Sequence, residues 1–362
     1  MKRILALQGG GLRGIVEVAF LEKVEAVYRA RRGPQARLAD VFDLVGGTST
    51  GALIAAAVAL GKPVSDIAAF YLDRAERVFA PNRGWRMGVL PIFDADRLER
   101  EIRAEIGDVA LGDPAIRTRL AVVAKRLDTG SVWIVSNIPT APFYDDPADG
   151  AWVGNRHFPL ARLLRASSAA PTFFRQETLA IVPGQPPGVF VDGGASPYND
   201  PSLALLMLAR MRAFGLRWPA GPENLFMLSI GCGRVRRRIA PRKAATAGPL
   251  AVAVESLRGM IDDGEQHALT MMEWLGRSRA PQRVNAELGV VGDDDAFDAP
   301  MLEYLRLDVP LEPAPLAAAG LFPGEAALKR MQRIDDPRMV RPLYDLTRAW
   351  LSHAYDLDAL LP

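Results

Sequence analysis

The first 60 residues contain two short apolar runs, each followed by a glycine-rich turn and a helix-forming stretch. Residues 4–7 predict a buried strand. The strand is followed by the turn Gly9-Gly10-Gly11-Leu12-Arg13-Gly14, and residues 15–31 then have the apolar spacing of a helix. Asp43-Leu44-Val45 predicts a second strand, and Gly47-Thr48-Ser49-Thr50-Gly51 then leads into an alanine-rich helix. This order of strands, turns and helices is typical of the start of a parallel sheet covered by helices.

The composition excludes several classes of protein. With 49% hydrophobic and 24% charged residues, the 362-residue chain can bury a full core and is not largely disordered. A net charge of +2 provides no global field for nucleic-acid binding, so no nucleic acid is expected as a partner. Cys232 is the one cysteine, which excludes an intrachain disulfide and fits a cytoplasmic protein.

The sequence predicts neither a signal peptide nor a transmembrane helix. Residues 1–8 are too short for a signal peptide and run directly into glycines. The longest apolar run, residues 52–60, is far below the roughly 20 residues that a spanning helix needs. Any contact with a membrane is therefore expected to be peripheral.

Gly47-Thr48-Ser49-Thr50-Gly51 fits the pattern Gly-x-Ser-x-Gly at the junction of a strand and a helix. A nucleophilic serine on such a sharp turn needs neighbours without side chains, because the backbone there is crowded and strained. The turn exposes the hydroxyl and places it at the positive end of the following helix. Taken alone, the pattern is also compatible with an ordinary strand–helix turn capped by Ser or Thr.

The residues from Gly9 to Gly14 follow the first strand and begin the first helix. Consecutive glycine amides at a helix start can bind a phosphate or the oxyanion of a tetrahedral intermediate. Gly9, Gly11 and Gly14 also satisfy the dinucleotide pattern Gly-x-Gly-x-x-Gly, which requires an acidic residue about 20 positions on, at the end of the second strand. Here the second strand ends in the serine turn and Asp43 precedes it, which argues against dinucleotide binding.

Asp192-Gly193-Gly194 follows the apolar residues 189–191. A carboxylate at the carboxyl end of a strand lies where an α/β active site would hold a base. Taken alone, this segment is better explained as an ordinary Asp-Gly turn.

No metal site is predicted. The three histidines are scattered along the chain, and neither Cys-x-x-Cys nor His-Glu-x-x-His occurs. His157, His267 and His353 are each expected at the surface or partly buried. Cys232 could be a nucleophile only with a partner histidine that the sequence does not place, so a small buried residue is expected there.

The glycine loop, the serine turn and Asp-Gly-Gly, in this order, resemble the motif set of the patatin-like phospholipases. Residues 165–174, Arg-Ala-Ser-Ser-Ala-Ala-Pro-Thr-Phe-Phe, resemble the family's segment between nucleophile and aspartate. Ser229-Ile230-Gly231-Cys232-Gly233 resembles its later strand and turn, although Cys232 stands where the family usually has threonine. The resemblance covers roughly residues 1–235.

The resemblance implies a role for each matching residue. Ser49 would be the nucleophile and Asp192 its base, without a histidine between them. The glycine loop would form the oxyanion hole, through Gly9, Gly10 and Gly11. Supporting roles would fall to Arg13, Gly47, Gly51, Gly193 and Gly194.

We therefore predict an α/β protein: a three-layer α/β/α sandwich with a mainly parallel central sheet, followed by a mostly helical C-terminal region. Residues 1–235 would form the acyl hydrolase domain, and residues 236–362 would pack on it or extend it. Beyond the first 60 residues, strands are expected at 120–124, 132–135, 188–191, 225–230 and 304–309, and helices at 64–79, 95–106, 160–168, 201–214, 250–275, 324–333 and 337–355.

The function that the resemblance implies is a phospholipase A-type lipid acyl hydrolase. Ser49 would take the acyl group of a phospholipid ester, and water would release the fatty acid, without a metal or organic cofactor. Two alternatives stay open: an α/β-hydrolase esterase with a Ser-Asp-His triad, and a catalytically silent module that binds a lipid or nucleotide.

The partners expected are a phospholipid at a membrane surface and, by resemblance to bacterial members of the family, a nucleotide activator. A homo-oligomer is also compatible with the sequence. The densest basic run, residues 234–243, is either a solvated loop or a contact for anionic lipid or a phosphate-bearing activator.

Overall fold

The computed structural model describes residues 1–82, 91–236, 239–291 and 296–362. Its central feature is a nine-stranded sheet, beside which two further strands form a small antiparallel pair. The strands are β1 (Lys2–Leu7), β2 (Leu44–Thr48), β3 (Arg119–Arg126), β4 (Val132–Ser136), β5 (Glu177–Leu179), β6 (Gly188–Asp192), β7 (Leu225–Ile230), β8 (Arg277–Ser278), β9 (Arg283–Asn285), β10 (Gly289–Val290) and β11 (Glu303–Leu307).

The order along the large sheet is β5-β6-β3-β2-β1-β7-β11-β8, and β4 also pairs with β3. The strands from β3 to β8 in this order are parallel, with Ile4 of the central β1 opposite Leu44 and Met227. The pairs of β3 with β4 and β6, and of β5 with β6, are antiparallel. The sheet is thus mainly parallel, as predicted, and β1, β2, β7 and β11 end at one common edge, the carboxyl edge.

Helices cover both faces of the sheet. Alternate residues of β1 point to opposite faces, with Leu5 and Leu7 in one apolar core and Ile4 and Ala6 in another. The helices are α1 (Gly14–Arg32), α2 (Thr50–Ala59), α3 (Val64–Val78), α4 (Ala95–Ile106), α5 (Leu160–Ser167), α6 (Ser202–Arg210), α7 (Pro241–Ala245), α8 (Pro249–Leu275), α9 (Pro313–Ala318), α10 (Glu325–Met331), α11 (Val340–Ala354) and α12 (Leu357–Leu360).

The two helical layers are unequal. Helices α1 to α5 and α9 to α12 supply the larger core, whereas α6 and the C-terminal half of α8 cover the second face. The predicted three-layer sandwich is confirmed. Among the described helices, none is both long and apolar enough to cross a membrane.

The region after residue 235 contributes to the same sheet. Tyr304 of β11 lies opposite Met227 of β7, and α11 packs against α1. The C-terminal region is helical, as predicted, but it also supplies an inner strand. The division at residue 235 stays a prediction, and it separates two parts that share one sheet.

The structure differs from the sequence prediction in its short elements. The helix expected over 201–214 ends at Arg210, because Met211 has an extended backbone (φ −70°, ψ 139°). The basic run was expected to be a loop, but part of it lies in α7, and Arg237 and Arg238 fall outside the described residues. The elements β5, β8, β9, β10, α7, α9 and α12 are too short to produce a periodic pattern and were not predicted.

Candidate active site

Ser49 lies on the sharp turn between β2 and α2. Its backbone has φ 55° and ψ −125°, a strained conformation for a residue with a side chain. The glycines on either side permit the turn: a Cβ at Gly47 would lie 2.3 Å from the carbonyl carbon of Gly51, and one at Gly51 would lie 2.4 Å from the carbonyl oxygen of Leu7. The predicted crowding around the serine is therefore present.

Asp192 ends β6 and reaches the serine directly. The Ser49 Oγ–H donates to Asp192 Oδ2 at 2.7 Å, and the Gly194 amide donates to Asp192 Oδ1 at 2.7 Å. Asp192 lies opposite Ala124 on β3, while the neighbouring Val123 lies opposite Thr48, so the sheet register brings the two side chains together. Both are buried, with 8% of Ser49 and 5% of Asp192 exposed.

Burial raises the pKa of Asp192 to about 6, against an ordinary value of 3.8. The hydrogen bonds from Ser49 and from the Gly194 amide, and the more distant charge of Arg165, oppose this rise because they favour the ionised form. The carboxylate is thus a stronger proton acceptor than an exposed aspartate, and it accepts the Ser49 hydroxyl within hydrogen-bond reach.

Ser167, at the end of α5, holds the backbone of the turn. The Ser49 amide donates to Ser167 Oγ at 2.8 Å, and the Ser167 hydroxyl donates to the carbonyl of Val123 at 2.6 Å. This pair of bonds ties the strained residue to β3. The role of Ser167 was not predicted, although it lies in the segment 165–174 that resembles the family.

The glycine loop lies against the serine turn. The Gly10 amide donates to Thr50 Oγ1 at 3.2 Å, and the Gly9 amide donates to the carbonyl of Asn199 at 3.0 Å. Of the three glycine amides in this described loop, that of Gly11 has no acceptor. Gly10 and Gly11 are therefore the glycine amides of this loop that have no backbone acceptor. Gly9 is already bound by the backbone.

Asn199 and Glu265 support the loop from the second face of the sheet. Asn199 Nδ2 donates to the carbonyl of Gly9 at 3.0 Å and to Glu265 Oε1 at 2.5 Å. A Cβ at Gly9 would lie 2.3 Å from Asn199 Oδ1, so the asparagine fits only beside glycine. Neither residue was predicted, because each contact joins segments far apart in the sequence.

The other predicted supporting residues also lie around the site. Arg13 Nη1 donates to the carbonyl of Gly233 at 2.9 Å, which links the glycine loop to the turn after β7. A Cβ at Gly193 would lie 2.4 Å from the carbonyl oxygen of Val123, and one at Gly194 would lie 2.6 Å from Asn199 Oδ1. Both glycines therefore allow the segment after Asp192 to pack closely.

A second buried polar cluster lies further along the carboxyl edge. Arg306 on β11 donates to Asp200 Oδ2 at 2.7 Å, to Ser229 Oγ at 2.8 Å and to Asp308 Oδ2 at 3.1 Å, and it also bonds the side chain of Gln8. Burial disfavours its charge, but the two carboxylates outweigh burial and hold the pKa of Arg306 above its ordinary value. This cluster was not predicted.

The remaining candidates make no hydrogen bond to Ser49 or Asp192 in the described residues, although Cys232 packs against Gly10. Cys232 is buried, its thiol donates to the carbonyl of Gln8, and burial raises the pKa of the thiol, which disfavours a nucleophilic thiolate. His157, His267 and His353 are exposed. Within the described ranges, no three His, Cys, Asp or Glu side chains are grouped as a metal site would require.

The sequence model of the patatin-like phospholipases matches residues 5–206, more than half of the chain. The chain belongs to this family. Among curated relatives, Patatin-like protein 1 of Oryza sativa subsp. indica is 27% identical over 252 residues, which cover 64% of this chain and 58% of the relative. The "cGAMP-activated phospholipase" of Escherichia coli (strain TW11681) is 27% identical over 237 residues, covering 63% of this chain and 61% of the relative.

The match thus spans about three fifths of the length of these relatives. Similar solved structures include human GIVD cytosolic phospholipase A2, with a TM-score of 0.41, 11% identity and coverage of 97% of this chain and 60% of the other. VipD from Legionella pneumophila has a TM-score of 0.37, 13% identity and coverage of 97% and 67%. The family predicted from the motifs is confirmed.

Proposed function

We propose that this chain is a lipid acyl hydrolase of the phospholipase A type, in which Ser49 is the nucleophile and Asp192 its base. The observation that carries the proposal is the 2.7 Å hydrogen bond from Ser49 Oγ to Asp192 Oδ2 in a buried site. Membership of the patatin-like family supports a phospholipid as the substrate class.

In the proposed reaction, Asp192 takes the proton of Ser49 while the oxygen attacks the ester carbonyl. The resulting oxyanion is bound by amides of the glycine loop, and the tetrahedral intermediate collapses when Asp192 returns its proton to the leaving lysophospholipid oxygen. An acyl ester remains on Ser49. Asp192 then deprotonates a water, which attacks this ester and releases the fatty acid, and the proton returns to Ser49.

The direct contact between Ser49 and Asp192 favours this dyad over a Ser-Asp-His triad. A triad needs a histidine between serine and acid, within about 2.6–3.2 Å of each. Here the acid occupies the position next to the hydroxyl, and the histidines after it, His267 and His353, are exposed on α8 and α11. The raised pKa of Asp192 suits a carboxylate that accepts the proton itself.

Ser49→Ala tests the proposal against a catalytically silent module. The variant should lose about three or more decades of kcat on phospholipid vesicles and on a soluble short-chain ester, because the acyl acceptor is gone. Ser65→Ala, the same change at an exposed serine on α3, should act as the wild type. A fluorophosphonate probe should label the wild type and Ser65→Ala only. Equal hydrolysis by Ser49→Ala would refute the proposal.

A nucleotide activator and a homo-oligomer stay predictions. The name of the Escherichia coli relative supports an activator of the nucleotide class. A pocket of about 530 Å³ beside Gln8 is, however, lined by five carboxylates and three arginines, a balance that disfavours phosphate. If a nucleotide binds, we therefore expect it elsewhere. Action at the surface of a cytoplasmic membrane is likewise proposed from the lipid substrate class.

A further inference from the structure

Helix α8 runs across the second face of the sheet in the direction opposite to the parallel strands. Near its middle, Gly264 approaches Pro197, and Glu265 bonds Asn199 beside the glycine loop. At its end, Leu275 accepts a hydrogen bond from the amide of Met301, close to the start of β11. The half of α8 before Gly264 therefore extends beyond the carboxyl edge, on the side of the molecule that carries Ser49.

This projecting half, residues 249–261, is about 20 Å long at 1.5 Å per residue. Its large apolar side chains face solvent: Leu250 is 79% exposed, Met260 67% and Leu257 64%, and Val252 and Val254 are also exposed. Its two charged residues, Glu255 and Arg258, form an ion pair with each other at 3.0 Å. Leu250, Val254, Leu257 and Ile261 share one face of the helix, whereas Glu255 and Gly259 lie on another face and line the pocket beside Gln8. An exposed apolar face of this length is stabilised by an apolar environment rather than by water.

The charge of the segment before α8 indicates what kind of apolar environment the projecting half contacts. Residues 234–254 contain six basic residues and no acidic residue. Of these, Arg236 and Arg242 are described and exposed. Guanidinium groups beside an apolar helix are complementary to anionic lipid headgroups, at about 1 kcal/mol per cation near the surface. Asp262 and Asp263 follow directly and mark the point where the helix becomes polar.

We propose that residues 249–261 of α8 dock into the interface of an anionic lipid bilayer and hold the carboxyl edge, with Ser49, towards the membrane. The segment is too short to span the bilayer, so it enters the headgroup and upper acyl region only. Anionic headgroups would neutralise the basic residues of 234–243, whereas a second copy of the chain would bring a segment of the same positive charge. The proposal rests on the proposed function for its lipid substrate.

Vesicle flotation tests docking separately from catalysis. In an inactive Ser49→Ala background, the protein should bind vesicles of phosphatidylglycerol and phosphatidylcholine more tightly than pure phosphatidylcholine vesicles, and less tightly as salt is raised. Leu250→Glu should weaken binding about tenfold, and Leu250→Glu with Leu257→Glu and Met260→Glu should abolish it. Met211→Glu, at an exposed apolar residue on the opposite edge, should bind as the parent does.

The same substitutions in the active chain should reduce hydrolysis of vesicle lipids while leaving hydrolysis of a soluble short-chain ester unchanged. Since Leu250 is largely exposed, Leu250→Glu keeps the test valid even if the triple variant fails to fold. Equal flotation of Leu250→Glu and its parent would overturn the proposal. So would a wild-type dimer that the substitution dissociates, without vesicle binding by either protein, because the occupant would then be a second copy. If the wild-type chain binds vesicles as expected but hydrolyses neither vesicle lipids nor the soluble ester, the proposed function alone would be contradicted.

Discussion

The carboxyl edge of the sheet holds two buried polar clusters whose charges are balanced in different ways. Around Asp192 the hydrogen-bond donors are neutral, a hydroxyl and an amide, and burial raises the pKa of the carboxyl group to about 6. Around Arg306 two carboxylates face one guanidinium in direct contact, and the cation keeps its charge. A carboxylate without a contacting cation can accept a proton, whereas paired charges hold strands together.

The largest effect is expected for the proton acceptor itself. Asp192→Asn should lower kcat/KM by about three decades or more, because an amide cannot take the proton of Ser49. In the wild type, kcat/KM should fall as the pH drops through about 6, where Asp192 becomes protonated. Asp308→Asn, a carboxylate of the other cluster, should stay within about tenfold of the parent. Comparable losses of kcat/KM in Asp192→Asn and Asp308→Asn would show that the two clusters do not differ in their role in catalysis.

Removal of the cation from the Arg306 cluster is expected to act mainly on the stability of the fold. Arg306→Met should lower the free energy of unfolding by about 3–5 kcal/mol, since the buried carboxylate of Asp200 would lose its cation. Urea unfolding monitored by circular dichroism measures this loss. If Arg306→Met unfolds at the same urea concentration as the wild type, the cluster does not have the structural role inferred here.

Asp192→Asn should also be more stable than the wild type at neutral pH. The folded-state pKa, about 6, exceeds the ordinary value of 3.8, so between these pH values the folded protein holds a proton that the unfolded chain has released. Stability therefore falls as the pH rises through this window, and above it the ionised Asp192 costs about 1–3 kcal/mol.

The asparagine variant is free of this cost. Its advantage in urea unfolding should be full at pH 7.5 and smaller at pH 5. An advantage that grows towards pH 5 would show that burial does not disfavour the charge of Asp192.

The smallest effect is expected for the histidines. His267→Ala with His353→Ala should stay within about tenfold of the parent, or roughly 1.4 kcal/mol in the barrier, because the proton goes directly to the carboxylate. A thousandfold loss of kcat in this folded variant would require a histidine between Ser49 and Asp192.

The site residues that could be predicted from the sequence are those whose role is indicated by the residues directly beside them. Ser49 is recognisable because the glycines beside it, Gly47 and Gly51, are required by its own turn. The parallel core was predictable for a similar reason, since β1, β2 and β7 each contain a short apolar run that is followed closely by glycines.

The parts that were not predicted depend on distant segments. Ser167 bonds a residue 118 positions away, and Asn199 bonds Gly9 across 190 positions. Arg306 reaches Gln8 across 298 positions. A serine, asparagine or arginine is common in any sequence, and its partner is determined only when the sheet brings the two segments together. The short strand β8 likewise exists only through its pairing with β11.

The close approach of backbone atoms at Gly47 and Gly51 has a consequence for attempts to change which lipid this chain accepts. At each position the first side-chain carbon would lie 2.3–2.4 Å from an atom of another residue, so a saturation library there should yield inactive clones almost without exception. Useful variation has to come from residues whose side chains border the site without forming it. Under the proposed docking, a library built on residues 249–261 of α8 would alter how the chain meets the membrane and would leave the reacting groups in their present geometry.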